Sequence, residues 1–262
     1  DTARVLAGIA LPNGQAINVR AGRNLIRPSH LFAPRRQNDL TRPRAAGELF
    51  CERQIANGDW PELPPGRARL RFMAEETARV FARAAATFES EYVFCWLDWD
   101  GDNVLANGGI IDYGSVRQFG LYHREYRFDD DDRWSTTIPE QRAKARFVAQ
   151  CFAQIRDFVS SGRKRPLTEF RRDPVLRIFD TEFEATKTRL FVRKLGFTPK
   201  TGAWIARAHA DLLSRLRRAH SYFESARSAR GPTKAADGLT WNAIFSTRDL
   251  LRELTRRLAS GE

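Results

Sequence analysis

The chain is poor in residues from which many functional sites are built. Among its 262 residues only Cys51, Cys95 and Cys151 are cysteine, an odd count with no CxxC pair and no histidine at zinc-binding spacing. That gives neither a disulfide framework nor a zinc motif, and a reducing cytoplasm is the compartment expected. The four histidines, His30, His123, His209 and His220, stand far apart and form no HExxH helix. No apolar run approaches the eighteen or so residues that a membrane-spanning helix needs, so no membrane partner is expected. Lysine is absent before Lys144, and there is no internal repeat or low-complexity block.

Arginine is abundant instead. Of 44 basic side chains six are lysine and 38 arginine; against 32 acidic ones they leave a net charge of +12 and a pI near 10.3. Guanidinium forks suit phosphate and carboxylate, so anionic partners are favoured. A nucleic-acid partner is not, because the aromatic residues fall on helix faces and offer no stacking platform. With 42% hydrophobic residues the chain can bury a sizeable core.

Apolar spacing divides the sequence. Val5–Ile9 and Ala16–Val19, on either side of Leu11-Pro-Asn-Gly14, predict a short β-hairpin. A basic connector from Arg20 to Arg44 carries prolines at 28, 34 and 43, which predicts loops with a short helix. Leu70, Met73, Val80, Phe81, Ala84 and Phe88 place an amphipathic helix over Pro65–Ser90, and Tyr92–Leu97 reads as a buried strand. Val104-Leu105 and Ile110-Ile111, separated by Ala-Asn-Gly-Gly, predict a tight hairpin. The acidic run Asp129–Asp132 reads as solvated surface in preference to a metal-facing patch. Helices are then expected over Pro139–Ser160, with Phe147, Cys151, Ile155 and Phe158 on one face, over Pro174–Leu195 with Gly196 as its cap, over Gly202–Ala226 with Trp204, Ala208, Leu212, Leu216 and Phe223, and over Thr247–Leu258. Domain boundaries follow at 1–45, a small β element and connector; 46–229, a helical body; and 230–262, a linker and helix.

Acidic residues flank the 104–111 hairpin, and they suggest chemistry. Transfer of a phosphoryl or nucleotidyl group needs divalent metal on hard oxygen ligands, cations on the phosphates and a base for the attacking hydroxyl. Asp102-Asn103 precedes the hairpin and Asp112-Tyr113-Gly114 follows it. A folded-back hairpin would bring Asn103 and Asp112 together although they are nine positions apart. Strand, Asp-Asn, hairpin, Asp-aromatic-Gly is the layout of a protein-kinase catalytic core. The alternation Asp98, Asp100, Asp102 also suggests a calcium loop, but Asn103 stands where that loop needs glycine and Gly109 where it needs glutamate.

Over most of its length the chain resembles the selenoprotein O group of kinase-like proteins. Arg20-Ala-Gly-Arg-Asn-Leu-Ile-Arg27 is similar to a segment with two arginines seven apart, Glu52–Leu63 with Trp60-Pro61-Glu62-Leu63 to a helix ending in aromatic-Pro-Glu-Leu, and Lys194-Leu195-Gly196-Phe197 to a KLG-hydrophobic motif. The resemblance implies transfer of AMP from ATP to protein Ser, Thr or Tyr hydroxyls, with Mg2+ or Mn2+ held by Asn103 and Asp112, Asp102 as base, and Arg20 and Arg27 on phosphate. Two features depart from the group: Trp96-Leu97-Asp98-Trp99-Asp100-Gly101 replaces its His-Gly segment, and no phosphate-gripping lysine or glycine-rich loop is present.

The fold expected is therefore α+β, a mainly helical, protein-kinase-like large lobe with a short β-hairpin carrying the metal-binding residues and a remnant β element at the N-terminus. The partners expected are ATP and a hydroxyl-bearing acceptor protein. Rival readings are a catalytically inactive nucleotide-binding scaffold, which the missing lysine favours, and a phosphotransferring kinase or a basic nucleic-acid-binding protein.

Overall fold

The computed structural model describes residues 24–91, 93–95, 104–110, 116–118, 138–225, 233–234 and 240–241. Helix dominates them: α1 (Ser29–Arg36), α2 (Thr41–Ala56), α3 (Arg67–Ser90), α4 (Ile138–Ser161), a 3-10 helix (Leu167–Arg172), α5 (Pro174–Lys194), α6 (Pro199–Ala208) and α7 (Ala210–Ser225). Among the described residues, strand is confined to β1 (Val93–Cys95) paired with β2 (Val116–Gln118), and to β3 (Thr233–Lys234) antiparallel to β4 (Thr240–Trp241).

This corrects the α+β expectation. The described residues form a helical protein, not a kinase-like lobe with a metal-carrying β-hairpin. The physical reason lies in the length of the apolar runs outside the helices. Val104-Leu105 and Ile110-Ile111 are too short to sustain two strands, and what forms is one isolated antiparallel bridge between Val104 and Ile110. The β element expected over Val5–Val19, the acidic run Asp129–Asp132 and the helix expected over Thr247–Leu258 lie outside the described residues.

Contacts divide the chain into two compact units, Asp1–Arg117 with Arg127–Thr186, and Gln118–Tyr126 with Lys187–Glu262. The core of the first is built on α3 and α4, which pack more extensively than any other two described elements. From α3 come Leu70, Met73, Phe81 and Phe88, and from α4 Val148, Phe152 and Ile155, all buried. Edge-to-face rings close gaps at the ends: Phe32 meets Phe152 with centroids 5.5 Å apart, and Trp60 meets both Phe50 and Phe72 at 5.2 Å. Outside this core, Arg146 forks onto both carboxylate oxygens of Asp180 at 3.0–3.2 Å, joining α4 to α5.

Local chemistry sets the helix ends. Asp173 accepts the Val175 N–H at 3.0 Å with Pro174 at the first helical position, which starts α5. Its end is a Schellman motif: Gly196 at φ +88° donates to Arg193 O at 2.9 Å and Phe197 donates to Val192 O at 3.3 Å. Three expectations differ from what forms. The helix placed over Glu52–Leu63 instead runs over Thr41–Ala56, because Gly58 (φ +73°) and Pro61 follow it. The single helix placed over Gly202–Ala226 is two, broken at His209 (φ −132°, ψ 39°). Phe147 is 51% exposed, since α4 buries the line Ala145, Val148, Phe152, Val159 rather than one running back to 147.

The second unit has a smaller core of Phe191, Val192 and Leu213. Gly202 allows α6 to approach closely, because a Cβ there would stand 2.7 Å from Val192 Cγ1. Trp204, Leu212 and Leu216, which recur at helical spacing, are exposed, at 54%, 61% and 43%. With α6 and α7 turned at His209, the packed positions are Gly202 and Leu213 instead.

Candidate functional site

The turn over residues 104–110 is the best-anchored part of the candidate site. Across the Val104–Ile110 bridge, the Leu105 N–H donates to Gly109 O at 2.7 Å. Gly108 N–H donates to Leu105 O at 2.9 Å, and Asn107 Oδ1 accepts the Gly109 N–H at 3.2 Å. Val104, Leu105 and Ala106 are buried. Gly108 lies at φ +81°, and a Cβ on it would stand 2.3 Å from Val80 Cγ1 on α3. Only glycine meets both conditions, a left-handed backbone and contact with a helix surface.

A second segment is tied to this turn. The Ala106 N–H donates to Ile26 O at 2.8 Å, so the residue next to Arg27 is bonded to the tip of the turn. Residues 24–28 are held from the other side as well. Asn24 is fully buried and its Nδ2 donates to Gln54 Oε1 at 2.7 Å and to Phe50 O at 3.3 Å, both on α2. Arg27 is half-buried, and its own N–H donates to His30 Nδ1 at 3.1 Å at the start of α1.

Of the residues expected in the site, Arg27 is described and sits beside the turn by way of Ile26. Asp102, Asn103 and Asp112, expected as base and metal ligands, and Arg20, expected on phosphate, lie outside the described residues. Among the described residues no group of three or more His, Cys, Asp or Glu side chains could hold a metal ion. Burial, reinforced by the charge of Glu48, pushes the Cys51 thiol up to about 12, so little of it is thiolate near neutral pH.

Sequence reasoning did not single out Asn24, Gln54 or Gln154. Each is a buried polar residue, and spacing alone gives no signal for that. Compared with protein-family models, curated proteins and solved structures, the chain matches none. Among the described residues, no helix is long and apolar enough to cross a membrane.

Proposed function

We propose that the chain transfers AMP from ATP to a Ser, Thr or Tyr hydroxyl of an acceptor protein, with a divalent metal at the 104–110 turn. The observation that supports this best is the hydrogen bond from Ala106 to Ile26. It sets the turn, which Asn103 precedes and Asp112 follows in sequence, beside the segment that carries Arg27. On this reading the metal ligands that flank the turn in sequence and the phosphate-binding Arg27 are carried by neighbouring backbone.

The donor types fit the metal. An amide oxygen and a carboxylate are hard ligands suited to Mg2+ or Mn2+, which usually keep waters and bind the remaining sites through substrate phosphates. The metal supplies charge neutralisation on the phosphates. In the step proposed, the acceptor hydroxyl oxygen attacks the α-phosphorus, the bond from that phosphorus to the bridging oxygen breaks, and pyrophosphate leaves. Asp102 takes the hydroxyl proton. Arg20 and Arg27 provide guanidinium forks for the charge that develops on the phosphates.

Incubation with Mg2+ and ATP labelled on either the α- or the γ-phosphorus tests this reading. Transfer of the α-label to protein, lost in Asp112→Ala, is the result expected. Transfer of the γ-label would mean phosphoryl transfer, and transfer of neither, with nucleotide still bound, would mean a non-catalytic binder. The absence of lysine before Lys144 favours that second reading.

A further inference from the structure

The second unit turns large apolar side chains outward among cations. On α6, Gly202 packs on Val192 of the unit's core, and Trp204 follows two residues later, about 200° further round the helix, where it is exposed. Lys200 and Arg207, both exposed, stand one turn before and one turn after it on the same face. Trp204 therefore lies on the side of α6 away from the core, between two positive charges. On α7, Leu213 is buried in that core, whereas Leu212 and Leu216 are exposed with Arg215 beside them.

His209 joins the two helices' contributions into one surface. The Trp204 ring meets it edge-on, with centroids 5.0 Å apart. His209 also opens the first turn of α7, because its carbonyl accepts the Leu213 N–H at 3.0 Å. Leu212 and Leu216 follow it at three and seven positions, so His209 and both leucines share one side of that helix. The charge of the region has one sign: residues 187–225 carry nine Lys and Arg side chains against two carboxylates, Asp211 and Glu224. An anionic partner complements it.

The extent of the face selects among anionic partners. Two proteins in a stable complex each bury about 800 Å². A whole aromatic side chain supplies about 150–250 Å², and one tryptophan and two leucines, each partly exposed, offer a fraction of that area. A bilayer surface asks for less, since a few apolar side chains enter the headgroup region while neighbouring cations meet anionic lipid. Tryptophan is favoured at that depth. We propose that this face of α6 and α7 docks on an anionic phospholipid bilayer. Trp204, Leu212 and Leu216 enter between headgroups, and Lys200, Arg207 and Arg215 lie on the lipid phosphates and carboxylates. Such docking lies in the plane of the surface and needs no membrane-spanning helix. It stands independently of adenylyl transfer, since none of these residues is assigned to that reaction.

The full chain is sedimented with vesicles of phosphatidylcholine alone and of phosphatidylcholine mixed with phosphatidylserine. Saturable binding is expected to the mixed vesicles only, weakening as salt is added. Trp204→Ala should weaken it about tenfold at unchanged charge. Lys200→Gln with Arg207→Gln should weaken it about thirtyfold at low salt. Arg171→Gln with Arg172→Gln removes the same charge from exposed positions of the first unit's 3-10 helix, and should cost less than about threefold. Trp204→Phe should bind nearly as the unaltered chain does, yet lose part of the tryptophan quenching caused by brominated lipid, which reads insertion at that residue. The substituted side chains are exposed, so melting temperatures should not change. No binding to mixed vesicles, unchanged affinity in Trp204→Ala, or equal losses in the two arginine-bearing pairs overturns the proposal. So does self-association, or capture of polyglutamate, that Trp204→Ala abolishes in a chain that ignores vesicles, since a second copy or an acidic protein would then be the occupant.

Discussion

Replacing Gly108 by alanine tests the anchoring of the 104–110 turn at a single atom. Two costs add. Gly108 lies at φ +81°, a left-handed conformation that costs an L-residue about 1–2 kcal/mol. The new Cβ would also stand 2.3 Å from Val80 Cγ1, and valine in a helix is nearly confined to one χ1 rotamer, so the neighbour cannot simply swing aside. Overpacking of that kind costs about 1–3 kcal/mol. The sum predicts a loss of about 2–5 kcal/mol in urea unfolding, at an unchanged dependence on denaturant. Val80→Ala separates the terms. It removes the clashing methyl, and Val80 Cβ is 3.9 Å away, an ordinary contact. In the double variant the steric part should vanish and the backbone part remain, a coupling of about 1–3 kcal/mol in the double-mutant cycle. A Gly108→Ala chain as stable as the original, or a double variant with no coupling, would show that the turn does not pack on α3 as described.

Other expectations follow from single groups. Gly196→Ala meets open space but keeps the φ +88° penalty, so it should cost about 1–2 kcal/mol in thermal unfolding, less than Gly108→Ala. Arg69 is buried and donates to Glu48 at 3.1 Å and twice to Leu63 O, at 2.6 and 3.1 Å; Arg69→Met should lose about 2–5 kcal/mol by leaving those acceptors unpaired, read by urea unfolding. Cys51 should resist a thiol reagent at pH 8 until the chain unfolds. Because its folded pKa of about 12 lies above the ordinary 9.0, stability is intact below pH 9 and falls between pH 9 and 12, by up to about 1.4 kcal/mol per unit from this group, a fall that Cys51→Ala should remove.

Helix existence was legible where several local signals agreed. Asp173-Pro174 at one end and Gly196 at the other bracket α5, and the stripe Leu70, Met73, Phe81, Phe88 marks α3, because capping and amphipathic spacing act within one turn of chain. Packing was less legible. Phe147, Trp204, Leu212 and Leu216 follow helical spacing yet face outward, since whether a stripe is covered depends on what the rest of the chain brings to it. The break at His209 has no glycine or proline to announce it. In the candidate site the turn itself was legible from Asn107-Gly108-Gly109. Its bond to Ile26 and its seat on Val80 were not, because both are long-range contacts. The strand content was overestimated for the same reason, since a pair of apolar dipeptides marks a chain reversal without fixing how far pairing extends.

Binding of ATP, measured by calorimetry with and without Mg2+, tests the central claim most directly. The unaltered chain should bind ATP tightly only with the metal, and Asn103→Ala together with Asp112→Ala should abolish the metal dependence while far-ultraviolet circular dichroism stays unchanged. Metal-dependent ATP binding that survives in the double variant, or its absence from the unaltered chain, would contradict the account.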